Sequence, residues 1–176
     1  MKNTLQTTNY KFSDKNGQVI VEALVALSIL MTGFLGMITL LSRSLFLSRA
    51  VSDDYTGSYL AAEGIEIVKN VVDTNVLASS TWNSGLSSGI YEADYSSPTL
   101  RFDSGRKIVF DTTTGFFGYS GNSPTNFVRK ITITNFDLDG DSFPDMLKVN
   151  SEVSWTTGLL SKTINLEDRF FDWRPR

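Results

Sequence analysis

The chain has 176 residues, a net charge of −3 and neither cysteine nor histidine. Acid and base are so nearly balanced that nothing signals nucleic-acid binding. Without Cys or His the fold has no disulfides or thiolate metal sites, and Ser-His and Cys-His hydrolase arrangements are excluded. Carboxylate chemistry such as glycoside hydrolysis is the enzymatic route left open, and an enzyme is not expected.

Residues 1–16 are polar, with Lys2, Lys11 and Lys15 set against Asp14. From Val19 to Leu41 the chain is apolar apart from Glu22, and as a helix rising about 1.5 Å per residue it matches a hydrocarbon core of roughly 30 Å. The cationic end precedes the span, so the positive-inside rule keeps that end in the cytoplasm and exports the rest. A secretory signal would have a shorter apolar core and a small-residue cleavage site close behind it. A plain signal anchor is the simplest alternative. Glu22 is the anomaly, because an ionisable group inside an apolar span is costly and usually functional.

The segment Gly17-Gln18-Val19-Ile20-Val21-Glu22-Ala23-Leu24-Val25-Ala26-Leu27 resembles the class III signal of type IV prepilins and type II secretion pseudopilins. That resemblance implies a leader, residues 1–17, cut after Gly17 by a prepilin peptidase, and an N-methylated new N-terminus at Gln18. The family usually has an aromatic residue or Met where this chain has Gln18. Glu22 matches the family's acidic residue. Cleavage would leave a cationic amino group on an apolar helix, and pairing with a carboxylate relieves the cost of burying such a charge. The resemblance implies that Glu22, facing its own or a neighbour's amino group, sets the register of assembly. A neutral, locally hydrogen-bonded Glu22 is the other reading. The implied partners are other pilin or pseudopilin subunits, the prepilin peptidase and the inner or cytoplasmic membrane, with a minor pilin in a cell-surface filament as the destination.

No proline occurs before Pro98, and a helix is expected over residues 18–76, its transmembrane and assembly segment at about 19–41. Beyond Leu47 an apolar stripe is expected from Val51, Tyr55, Tyr59, Ala62, Ile65, Val68 and Val72, with Asp53, Asp54, Glu63, Glu66 and Lys69 elsewhere around the helix. Gly33 and Gly36 weaken the helix or let neighbouring helices approach closely.

Residues 77–176 turn to Ser, Thr, Gly, Asn and aromatics with period-two patterning, which predicts a small β-rich domain. Trp82 is expected as a packing anchor in a loop. Short strands are expected at Gly89–Tyr95, Thr99–Asp103, Lys107–Phe110 and Phe116–Tyr119, then turns over Gly121–Asn126. Phe127–Phe136 is a β-branched run with Arg129, Ile131 and Ile133 on one face. Leu147, Val149, Val153 and Trp155 alternate with polar residues, and a last strand is expected over Leu160–Asp172, with Trp173 closing the core. The fold class expected is α+β: a long N-terminal helix laid against a small antiparallel sheet, an arrangement that also resembles the pilin fold.

Between the two best strands stands Asp137-Leu-Asp139-Gly-Asp141-Ser-Phe-Pro-Asp145. Aspartates at loop positions one, three, five and nine, with the Phe143 carbonyl at position seven, follow the ligand spacing of EF-type Ca²⁺ loops. Ser142 stands where that loop has Gly, and Lys148 where it has a bidentate Glu. The strand-flanked loop looks more like the calcium-binding β-hairpin loops of extracellular β-rich proteins. The alternatives here are a Ca²⁺ site and a solvated acidic hairpin. A signal-anchored extracytoplasmic binding or adhesin domain is the alternative to a filament subunit.

Overall fold

The 63 residues from Lys15 to Leu77 form one helix, α1, in a computed structural model that describes residues 15–97 and 99–172. The leader before Lys15 and the aromatic Trp173 therefore lie outside the described residues, as does Pro98. Compact packing divides the described chain between Leu47 and Ser48. In the first unit, the helix residues from Gly17 to Leu47 are exposed all round, including Leu24, Leu30, Phe34, Leu35 and Leu40. Gly33 and Gly36 have open space where a Cβ would stand.

The second unit combines the C-terminal part of α1 with seven antiparallel strands: β1 (Gly89–Glu92), β2 (Arg101–Phe102), β3 (Lys107–Phe110), β4 (Phe117–Gly118), β5 (Ser123–Phe136), β6 (Met146–Thr157) and β7 (Leu160–Phe171). The chain is thus α+β, a long N-terminal helix packed against an antiparallel sheet. β5 is the spine: β3 and β1 share one of its edges, and β6 follows the other from Val128 to Phe136. β6 and β7 form the longest pairing, from Met146↔Phe171 to Thr157↔Leu160.

α1 stops through its own backbone. Ser79 takes the left-handed conformation at φ 56°, Ser79 N–H donates to the Val76 carbonyl and Ser80 N–H to the Asn75 carbonyl. This closes the helix end in a Schellman arrangement with serine in the usual glycine place. Asn75 Nδ2 then donates to the Trp82 and Ser84 carbonyls, fixing the loop that buries Trp82 as expected.

The alternation expected of the sheet holds: Arg129, Ile131, Ile133, Leu147, Val149, Val153 and Trp155 all point into the core. The helix stripe differs from expectation. Val68 and Val72 are buried and Ile65 is half-buried, but Val51, Tyr55, Tyr59 and Ala62 are exposed. The packed line is instead Ala50, Gly57, Leu60, Ala61, Gly64, Val68 and Val72. Its physical reason is space. A Cβ on Gly57 would come 2.5 Å from the Trp155 ring, and one on Gly64 would collide with the Ser151 Oγ. Bulk supplied by the sheet demands small residues on the helix.

The helix acids also differ, since Asp53, Asp54 and Glu63 reach the sheet. Thr157 Oγ1 donates to Asp53 at 2.5 Å, Lys162 Nζ pairs with Asp54 at 2.7 Å and Arg129 Nη1 with Glu63 at 2.7 Å. Strand limits shift as well. β5 begins at Ser123, inside the stretch expected as turns, because Pro124 stands beside Val109 before β6 joins the ladder. A proline is tolerated there because one edge is unpaired. β1 ends early because the chain turns at Asp94, whose carbonyl accepts from Ser97 N–H.

Candidate functional site

Three places carry polar or ionisable groups that composition alone would not put there. The first is the head of α1. Gly17, Gln18 and Glu22 are all helical and exposed, and Gln18 and Glu22, four apart, share a helix face. The helix they open is long and apolar enough to cross a membrane. Glu22 is thus a lone carboxylate near the start of an apolar cylinder whose exposed side chains need lipid or protein around them.

The second is the β5–β6 loop. Its tightness comes from aspartates bonding their own backbone, the usual behaviour of this residue in turns. Asp137 Oδ1 accepts from Gly140 N–H at 2.7 Å and its Oδ2 from Ser142 N–H at 2.9 Å. Asp139 accepts from Asp141 N–H, Asp141 from Phe143 N–H and Asp145 Oδ2 from Leu138 N–H. Two left-handed residues, Gly140 and Ser142, let the chain coil this closely. The loop brings carboxylate oxygens of Asp137, Asp139 and Asp145 within 4.8 Å of one another. Two oxygens bound to one Ca²⁺ at about 2.3–2.6 Å each stand no more than about 5 Å apart, so this triple fits a hard cation. Asp141 and Phe143 belong to the same loop, with the Phe143 side chain exposed.

The third place was not legible from the sequence, because its members are scattered from Glu63 to Arg129. Arg129 is 1% exposed. Its Nη1 donates to the Leu60 carbonyl at 2.9 Å and to Glu63, and its Nη2 to the Ala93 carbonyl. Beside it, buried Glu92 holds the Arg106 guanidinium through Nε and Nη2 and accepts from Ser104. Burial pushes the Glu92 carboxyl up, but Arg106 and Ser104 outweigh it and hold the pKa below its ordinary 4.5. Asp94 behaves alike: burial raises it, while Tyr119 N–H, Ser97 and Ser96 bring it below 3.8. Arg106 also lies 4.5 Å over the Tyr119 ring, whose phenol burial pushes upward. A cleft of about 350 Å³ opens beside Glu92, Asp94, Arg106 and Tyr119. Glu92 with Arg106, and Arg129 with Glu63, are paired within the fold, so the cluster acts as a polar clamp between helix, β1 and β5.

Comparison with family models, with curated proteins and with solved structures found no match.

Proposed function

We propose that this chain is a structural subunit of a type IV pilus or a type II secretion-like pseudopilus. Prepilin peptidase cuts it after Gly17, Gln18 becomes the N-methylated N-terminus, and assembly runs through the apolar part of α1. The observation that carries this reading is Glu22: one acid, a helical turn after Gln18, in the part of α1 that is apolar and exposed on every side. Lipid satisfies such a surface before assembly and the helices of other subunits satisfy it afterwards. The carboxylate answers the amino group that cleavage creates. The β-domain is carried extracytoplasmically, first on the membrane and then on a cell-surface filament.

The measurement that tests this is the N-terminal mass of the protein from its native host, with and without prepilin peptidase activity. The expected mature chain starts at N-methylated Gln18 and disappears without the peptidase. A chain that keeps Met1 in the wild type overturns the reading.

The convergence of Asp137, Asp139 and Asp145 favours a second reading, an anchored binding or adhesin domain with a calcium-stabilised hairpin. Retained Met1 together with Ca²⁺-dependent stability is the result that favours it. In either reading the aspartates hold the ion, and the ion pins the loop between β5 and β6.

A further inference from the structure

β7 is an edge strand twelve residues long, paired to β6 along one side alone among the described residues. Its neighbours in β6 show which way its side chains point. Trp155, Val153, Ser151, Val149 and Leu147 are buried toward α1, so their partners Lys162, Ile164, Leu166, Asp168 and Phe170 stand on that same face. Leu166 is 37% exposed there, and Leu160 at the strand's start is 54% exposed. An open edge of this length is a template for another strand, and proteins commonly blunt it with inward-pointing charges. Lys162 and Asp168 are such charges, but their spacing about Asn165 is symmetrical.

We propose that β7 pairs antiparallel with β7 of a second copy, centred on Asn165, to make a two-fold dimer with one sheet running through both copies. In that register Lys162 faces the other copy's Asp168, Ile164 faces Leu166, and Leu160 faces Phe170, each pair occurring twice by symmetry. On the opposite face Asn165 meets itself and Thr163 meets Glu167. Neighbouring registers fail. Centring on Ile164 sets Lys162 against Leu166 and Asp168 against Leu160. Centring on Leu166 sets Ile164 against Asp168 and Lys162 against Phe170, and centring on Glu167 opposes two like charges. Directly opposed partners on one face carry much of a sheet's pairing energy, so the pattern selects one register. Lys162, which pairs with Asp54 in its own copy, then bridges two carboxylates. A two-fold contact closes on itself and does not propagate, so this pairing is separate from any helical assembly and does not rest on the filament reading.

The full chain in detergent micelles supplies the test, because it has no cysteine and a single introduced thiol reports one position. Asn165 is exposed and lies on the face away from α1, so Asn165→Cys leaves the core untouched. Mild oxidation is expected to convert Asn165→Cys to a disulfide dimer, because opposed residues bring their Cβ atoms to about 4.5–5.5 Å, near disulfide reach. Thr163→Cys and Glu167→Cys, each displaced from its own copy by several residues, are expected to cross-link at least about tenfold less, whereas the double variant cross-links. Adding Asp168→Lys to Asn165→Cys is expected to weaken the dimer about tenfold, and Asp168→Asn by less. Circular dichroism checks that each variant is folded. Equal cross-linking at residues 163 and 165, no dimer at 165, or indifference to Asp168→Lys overturns the proposal.

Discussion

Gly64 shows how much rests on the absence of a side chain. Its Cα faces Ser151 in β6, and Gly57 faces Trp155 two turns earlier, so the helix can approach only where nothing projects. Gly64→Ala is expected to cost about 1–3 kcal/mol in chemical unfolding, the usual range for overpacking. Ser151→Ala in the same chain should recover part of that loss, since it removes the atom the new methyl meets first, and a double-mutant cycle reads the coupling. Arg129→Ala is expected to cost more, about 3 kcal/mol or above, because it strands two backbone carbonyls and the Glu63 carboxylate together. The carboxyls of Glu92 and Asp94 sit below their ordinary 4.5 and 3.8. Their contribution to stability is therefore complete above those values and is lost as pH falls through the lower folded pKa values. Unfolding measured from neutral to strongly acidic pH should show that loss, and Glu92→Gln should flatten the slope.

At the level of elements, strands were more legible than the helix face. Period-two alternation in β6 needs no knowledge of its partners, and Leu147, Val149, Val153 and Trp155 are all buried as that pattern requires. The helix stripe was misplaced over Val51–Ala62 because a line traced through large side chains such as Tyr55 and Tyr59 passes over Gly57 and Gly64, whereas a close helix–sheet contact selects small residues. Arg129 was legible on the face of Ile131 and Ile133, but its pairing with Glu63 was opaque, because the two are far apart in the chain and Glu63 alone reads as surface. The acidic loop was legible as a spacing, and three of its carboxylates do converge. Its expected behaviour is stabilisation by Ca²⁺ through mass action, about 2.7 kcal/mol when the ion is at a hundred times its dissociation constant. Thermal unfolding with Ca²⁺ and with chelator should separate, and Asp139→Ala should bring the two curves together. Coincident curves in the wild type would leave a solvated hairpin.

For the molecule as a whole, the two compact units answer to different surroundings. Every buried apolar side chain among the described residues lies between Ala50 and Trp155, and none lies in the apolar half of α1. A chain beginning at Ser48 is therefore expected to fold and to unfold with the stability of the β-domain in the full protein. Circular dichroism and chemical unfolding of that shortened chain check it. Aggregation of the shortened chain, or a midpoint far below that of the intact protein, would mean that the apolar half contributes to the domain's core. The head of α1 was the most readable part of the sequence, because an unbroken apolar run with one acid announces itself without any tertiary contact.

The bonds that fasten Asp53 to Thr157 and Asp54 to Lys162 reach across more than half the chain. The helix face they anchor is made before any strand, yet β6 and β7, which cover it, are made after the other five strands. Closing loops of that size is slow, and the contacts that repay it come only at the end. The β-domain thus has a timing requirement: the Asp53 and Asp54 face of its helix must wait, uncovered by β6 and β7, until the chain has been made through Phe171. A chain stopped before Met146 should yield not a smaller domain but no domain at all.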